Sequence, residues 1–160
     1  AVLNEAMQAE QRGDREKAAF YYNSAITITP QNETIFRMIM NFYINLGRLD
    51  MAKTMLVGVA EFQSPETTTE AMVQLLLQQI DQNQLNDAKE MLAALLEKEK
   101  LQTLSSLWYY SGIISWLDGS PKDTSIFWIK SCQNGAPLES LQQPLGTSMD
   151  LAFLSLCTLP

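Results

Sequence analysis

Four turn-forming residues recur along the chain at a nearly constant interval, and this interval restricts the folds that the chain can adopt. They are Gly13, Gly47, Asn83 and Gly119, separated by 34, 36 and 36 residues. Glycine and asparagine most readily take up the left-handed backbone that ends a helix. Each is followed by an apolar pattern of helical period, so the sequence predicts consecutive helical hairpins of 34 to 36 residues.

A small residue lies five positions after each turn, and a large residue follows four positions later. The pairs are Ala18 with Tyr22, Ala52 with Leu56, Ala88 with Leu92, and Thr124 with Trp128. Positions four apart share one face of a helix. The small residue lets a neighbouring helix approach, and the large residue fills the space beside it. We therefore interpret this spacing as a packing pattern.

The same spacing predicts eight helices and no strands, near residues 1–12, 14–28, 33–46, 49–62, 66–82, 85–99, 104–118 and 122–134. Paired in order, they form four repeats at about 1–32, 33–65, 66–102 and 103–137. Residues 135–148 contain two prolines and two glycines and are predicted to be a loop. Residues 149–157 are predicted to be a short apolar helix that caps the repeats, within a C-terminal region at 138–160.

These units resemble tetratricopeptide repeats over about 135 of the 160 residues. The likeness rests on Ala18, Tyr22, Ala25 and Pro30 in the first unit, on Tyr43, Gly47 and Ala52 in the second, on Ala88 in the third, and on Trp108 and Gly112 in the fourth. The fourth unit departs from the family pattern at Ser111, Ser115, Thr124 and Ser131, where Leu, Tyr, Ala and Ala are usual. The resemblance implies an all-α fold, a right-handed α–α superhelix, whose concave face is lined by the first helix of each unit.

Composition restricts the classes of function. The chain has no histidine, which removes histidine-based catalytic triads and most zinc sites. We find no GxSxG, GxGxxG, P-loop or CxxC motif. We therefore expect no catalytic activity, no cofactor and no metal site.

Charge and hydropathy restrict the kinds of partner that the chain can bind and the compartments in which it can function. The net charge of −7, without a basic block, disfavours binding to nucleic acid. The longest nearly apolar run, at 107–117, is shorter than the roughly 20 residues of a membrane-spanning helix, so we expect no membrane insertion. We favour a cytoplasmic location, with the periplasm as the alternative.

The chain contains two cysteines, Cys132 and Cys157. A disulfide between them requires the chain end to fold back onto the last long helix. We expect two separate, buried thiols instead, because cysteine is often buried as a small apolar residue.

The resemblance places candidate ligand-binding residues on the concave face: Arg37, Asn41, Asn45, Leu77, Asp81, Tyr109, Ile113 and Trp116. Such a groove suits a protein or peptide, with Arg37 holding a carboxylate and the aromatic residues accepting apolar side chains. The simpler interpretations are that the polar residues form a solvated face and that the closing helix around Phe153 covers the aromatic residues.

The resemblance implies a non-catalytic module for protein–protein interaction, a scaffold or a peptide-binding adaptor that uses the concave groove. One alternative is a structural module that forms homodimers through the apolar fourth repeat. Another is a small acidic chaperone or assembly factor of a bacterial secretion or envelope system.

Overall fold

The computed structural model describes residues 1–135, 153 and 155–157. Within these residues the chain is all-α and contains no strand. Residues 136–148 of the predicted loop, and most of the predicted closing helix, lie outside the described residues. Phe153 and residues 155–157 are helical.

The helices in the described part of the chain are α1 (Val2–Gln11), α2 (Arg15–Ile28), α3 (Glu33–Asn45), α4 (Leu49–Val59), α5 (Pro65–Asp81), α6 (Leu85–Leu96), α7 (Ser105–Leu117) and α8 (Pro121–Gln133). The eight predicted helices are thereby confirmed. Two of them end early, because single 3₁₀ turns at Ala60–Phe62 and Glu99–Leu101 follow α4 and α6.

The four predicted turns have the expected backbone. Gly13, Gly47, Asn83 and Gly119 have φ values of 77°, 74°, 57° and 80°. The residue after each turn donates its N–H to a carbonyl five positions earlier, as Asp14 does to Ala9 at 2.9 Å. This bond satisfies a carbonyl that the helix end would otherwise leave unpaired. Each turn therefore ends a helix, and after Gly13, Gly47 and Gly119 the next helix packs back on the one before it.

Polar side chains begin several of the helices. The carboxylate of Asp14 accepts the N–H of Lys17 at 3.2 Å, and the amide oxygen of Asn32 accepts the N–H of Ile35 at 2.9 Å. These caps satisfy N–H groups that have no partner inside the helix.

The chain divides into two units, residues 1–75 and 76–160, and α5 runs across the division. In the first unit α1 packs on α2, α2 on α3, and α3 on α4. In the second unit α6 packs on α7, and α7 on α8. The predicted small and large pairs are all buried in these contacts, from Ala18 and Tyr22 to Thr124 and Trp128.

The unusual hydroxyl residues of the fourth repeat form hydrogen bonds between α7 and α8. The Thr124 hydroxyl donates to the Gly112 carbonyl at 2.9 Å, and the Ser131 hydroxyl donates to the Ser105 carbonyl at 2.8 Å. Burying a hydroxyl costs little when it is paired. Both departures from the alanine pattern are therefore compatible with tight helix packing.

The prediction of two separate thiols is wrong, because Cys132 and Cys157 form a disulfide with a Cα–Cα distance of 5.3 Å. Phe153, which is 1% exposed, lies against α7 and α8. Its ring centroid is 4.8 Å from that of Tyr109 and 5.6 Å from that of Trp128. The chain end thus returns to the last long helix, as a disulfide requires.

Candidate functional site

The second helix hairpin places a polar row on α3. Glu33, Arg37, Asn41 and Asn45 follow one another at intervals of four residues and are all exposed. Such an interval keeps side chains on one face of a helix. The structure therefore brings together the three polar residues that the sequence predicts for this helix.

Arg37 is held between two carboxylates. Its Nε and Nη2 donate to Glu33 at 3.0 and 2.7 Å, and its Nη1 donates to Glu70 on α5. The hydrogen bond to Glu33, together with Glu70, raises the pKa of the guanidinium. Any carboxylate that binds Arg37 must share it with these two glutamates.

A second pair of side chains connects α3 and α5 beside the contact between Arg37 and Glu70. The amide of Gln74 donates to the Asn41 oxygen at 3.0 Å. Between the two pairs lies a small cleft of about 260 Å³, with Met40, Thr67 and Ala71 also in its lining. We call the exposed residues of this region the α3–α5 polar surface: Glu33, Arg37, Asn41, Glu70 and Gln74.

The pairing of Arg37 with Glu70, and that of Asn41 with Gln74, was not predicted from the sequence. The signal was present, because each partner lies 33 residues later, close to one repeat length. In a stack of repeats, side chains one repeat apart on the first helices face each other. A search for complementary polar residues at that separation would find both pairs.

The apolar candidate residues have different environments. Leu77 and Trp116 are 43% and 51% exposed, and Asp81 is also exposed. Tyr109 and Ile113 are each 1% exposed. The Tyr109 ring lies against Phe153 and stacks on Trp128 at 5.9 Å, so the described part of the tail covers it.

The described residues offer no metal centre, since no group of three or more His, Cys, Asp or Glu is placed to hold an ion. Within the same residues, no helix has both the length and the apolar character that crossing a bilayer requires.

No protein-family model matches the sequence, and no curated protein matches it significantly. Among solved structures, the chain is similar to the crystal structure of MamA, with 12% sequence identity and a TM-score of 0.48. The superposition covers 95% of this chain and 91% of that chain. A likeness at this identity and score carries no function from one protein to the other, and the all-α fold stands on the helices described above.

Proposed function

We propose that the protein is a non-catalytic interaction module, similar to tetratricopeptide scaffolds, and that it binds a segment of a partner protein on the α3–α5 polar surface. The observation that supports this most is the pair of contacts Arg37–Glu70 and Asn41–Gln74 beside the cleft. Side chains that hold each other in place lose less conformational freedom when a ligand binds.

The chemistry of the surface suits a peptide backbone. The side-chain amides of Asn41, Asn45 and Gln74 each carry donors and an acceptor, as a peptide group does. A guanidinium has five N–H donors, and three of those of Arg37 are used by Glu33 and Glu70. The remaining donors are available to a carbonyl or a carboxylate of the partner.

The test uses Arg37→Ala with Arg48→Ala as a matched control. The Arg48 side chain is 58% exposed and pairs with Asp50. Each of the two substitutions therefore removes one surface arginine together with its ion pairing. Such pairs contribute roughly 0–1 kcal/mol of stability. We expect both variants to unfold at nearly the same urea concentration as the parent chain.

Binding should separate the two variants. A partner captured from lysate by the intact chain is purified, and its affinity is measured by isothermal titration for the parent and both variants. We expect Arg37→Ala to weaken binding by at least ten-fold and Arg48→Ala to leave it unchanged. Equal affinities for all three proteins would exclude the α3–α5 polar surface as the binding site.

A second candidate function is self-association through the second unit. Its support is a set of exposed apolar side chains on α7 and α8: Trp116, Leu117, Ile126 and Ile129. Sedimentation equilibrium over a hundred-fold range of concentration tests it. A dimer that Ile126→Lys dissociates supports this function, and a monomer at all concentrations rejects it.

A further inference from the structure

The second unit contains an open cavity of about 560 Å³ between α6, α7 and α8. This volume lies within the range of about 300–1,000 Å³ that is typical of ligand sites. Its apolar wall is formed by Leu92, Ala93, Leu96, Ile114 and Phe127. We call it the α6–α8 cavity.

In the first unit the corresponding place is narrowed by larger side chains, and the cavity that Tyr43 and Asn23 line there has only about 270 Å³. Four residues before the turn, α3 has Tyr43 where α7 has Ser115. Ten residues after the turn, α2 has Asn23 where α6 has Ala93. The Tyr43 hydroxyl donates to the Asn23 oxygen at 3.2 Å, so a phenol ring bridges the two helices. In the second unit Ser115 and Ala93 are too short to meet, and both line the cavity.

The cavity is also lined by polar side chains. Ser115 is 7% exposed, and its side chain lines the cavity. The exposed carboxylates of Glu97 and Asp123 line the same cavity, and neither is ion-paired to a described residue. Lys89 is already neutralised by Asp118 at 2.7 Å. The mouth of the cavity is therefore negatively charged.

A second cavity of the first unit shares several register positions with the α6–α8 cavity and provides a contrast in charge. The first unit has a cavity of about 490 Å³ between α2 and α4, and none of its lining residues is charged. Its wall includes Met51 where the α6–α8 cavity has Asp123, each four residues after its turn. Carboxylates at the mouth thus distinguish the α6–α8 cavity from a groove of similar size.

We infer that the α6–α8 cavity is a second binding site, which takes an aromatic side chain from a partner segment that carries lysine or arginine on both sides of it. The inference rests on the proposed role as an interaction module. The ring occupies the space that Tyr43 fills in the first unit, and it packs against Phe127 as aromatic rings commonly do. The flanking cations pair with Glu97 and Asp123, and this complementarity sets the specificity.

The probe is the acetylated and amidated peptide Ala-Lys-Tyr-Lys-Ala, titrated into the ¹⁵N-labelled full chain and followed by NMR. Two peptides serve as controls: Ala-Lys-Ala-Lys-Ala lacks the ring, and Ala-Glu-Tyr-Glu-Ala reverses the charge. We expect saturable shifts at Ala93, Ser115 and Phe127 with the probe. Each control should bind at least ten-fold more weakly.

Two variants locate the site. Ser115→Tyr fills the space from within, and the double change of Glu97→Gln with Asp123→Asn removes the charge at exposed positions. Each variant should bind the probe peptide at least ten-fold more weakly than the parent chain. The control is Glu16→Gln with Glu66→Gln, which removes the same charge from the first unit and should leave the affinity for the probe unchanged. If Ser115→Tyr fails to fold, the double variant decides.

Equal binding of the three peptides would overturn the inference, as would shifts confined to the first unit. Neither result tests the α3–α5 polar surface. That surface is tested by the loss of affinity for the purified partner in the Arg37→Ala variant. Conversely, a probe that binds the α6–α8 cavity equally well in the parent chain and in Arg37→Ala supports this inference even if the α3–α5 polar surface fails its own test.

Discussion

Gly112 on α7 faces the Trp128 indole on α8 so closely that a Cβ at position 112 would overlap the ring. The Trp128 Nε1 also donates to the Tyr109 carbonyl at 3.0 Å, which fixes the indole in that place. Because the ring is large and 3% exposed, it has little room to move. This contact explains why glycine occupies a position in the interior of a helix, where it costs stability.

Gly112→Ala should therefore destabilise the protein, by about 1–3 kcal/mol, as overpacking of a core does. Gly58 in α4 is the control, because nothing lies within 4 Å of a Cβ built there. Gly58→Ala should stabilise the protein by up to about 1 kcal/mol through helix propensity. Urea unfolding of the two variants measures both effects, and changes of the same sign would contradict the close contact at Gly112.

Gln79 on α5 is 1% exposed, and both polar atoms of its side chain are buried without a partner among the described residues. An unpaired buried amide costs roughly 1–3 kcal/mol. Gln79→Met keeps the shape and removes the polar atoms, so it should raise the free energy of unfolding by about 1–2 kcal/mol. Gln133→Met, at an exposed position of α8, should change it by less than about 0.5 kcal/mol. A loss of stability in Gln79→Met would show that the amide is satisfied in solution.

Tyr22 makes stability depend on pH at the alkaline end. Burial, together with the 2.6 Å hydrogen bond from its hydroxyl to Glu10, raises the pKa of Tyr22 above the usual 10.0. Between pH 10 and the raised pKa of the folded state, the folded protein keeps a proton that the unfolded chain loses. The resulting stability is fully present below pH 10 and is lost as the pH rises further.

Tyr22→Phe tests this linkage. We expect the variant to be less stable than the parent by about 1 kcal/mol at pH 8, because the partly buried hydrogen bond to Glu10 is lost. That difference should shrink as the pH rises above 10. Thermal unfolding between pH 8 and pH 11.5 measures both proteins, and a difference that stays constant over this range would show that Tyr22 does not titrate there.

The disulfide between Cys132 and Cys157 closes a loop over a sequence separation of 25 residues. A disulfide that closes a loop of this length stabilises the folded state by about 3 kcal/mol, because it lowers the conformational entropy of the unfolded chain. Reduction with dithiothreitol should lower the urea midpoint accordingly and should increase quenching of tryptophan fluorescence by acrylamide as Phe153 leaves Trp128. The double variant Cys132→Ser with Cys157→Ser should reproduce the reduced protein and be insensitive to the reductant. An unchanged midpoint in the reduced parent would contradict this role.

Local spacing was enough to predict the helices and their turns. The turn residue at the end of a helix and the small residue five positions later act over only one or two helical turns. Their effect can therefore be predicted from the local sequence. The burial of Ala18 and Tyr22 follows from the same short-range pattern. None of these predictions required knowledge of how distant segments meet.

The candidate site was predictable in part. Arg37, Asn41 and Asn45 share a helix face because of their spacing, and all three are exposed. Ser115 departs visibly from the repeat pattern, but the effect of this departure depends on Ala93, which has no unusual feature in the sequence. A cavity results where two short side chains face each other across neighbouring helices. No pattern within a single helix indicates that the side chain opposite is also short.

Contacts between residues far apart in the chain were decided by tertiary structure alone. Arg37 meets Glu70, which lies 33 residues later on another helix. Cover of Tyr109 by Phe153 was one of two interpretations that the sequence left open, and the structure decided between them. Cys132 and Cys157 pair, against the expectation of separate thiols. Side-chain type and helical period specify which face of each helix is apolar or polar, whereas the partner of that face depends on packing geometry, to which the whole chain contributes.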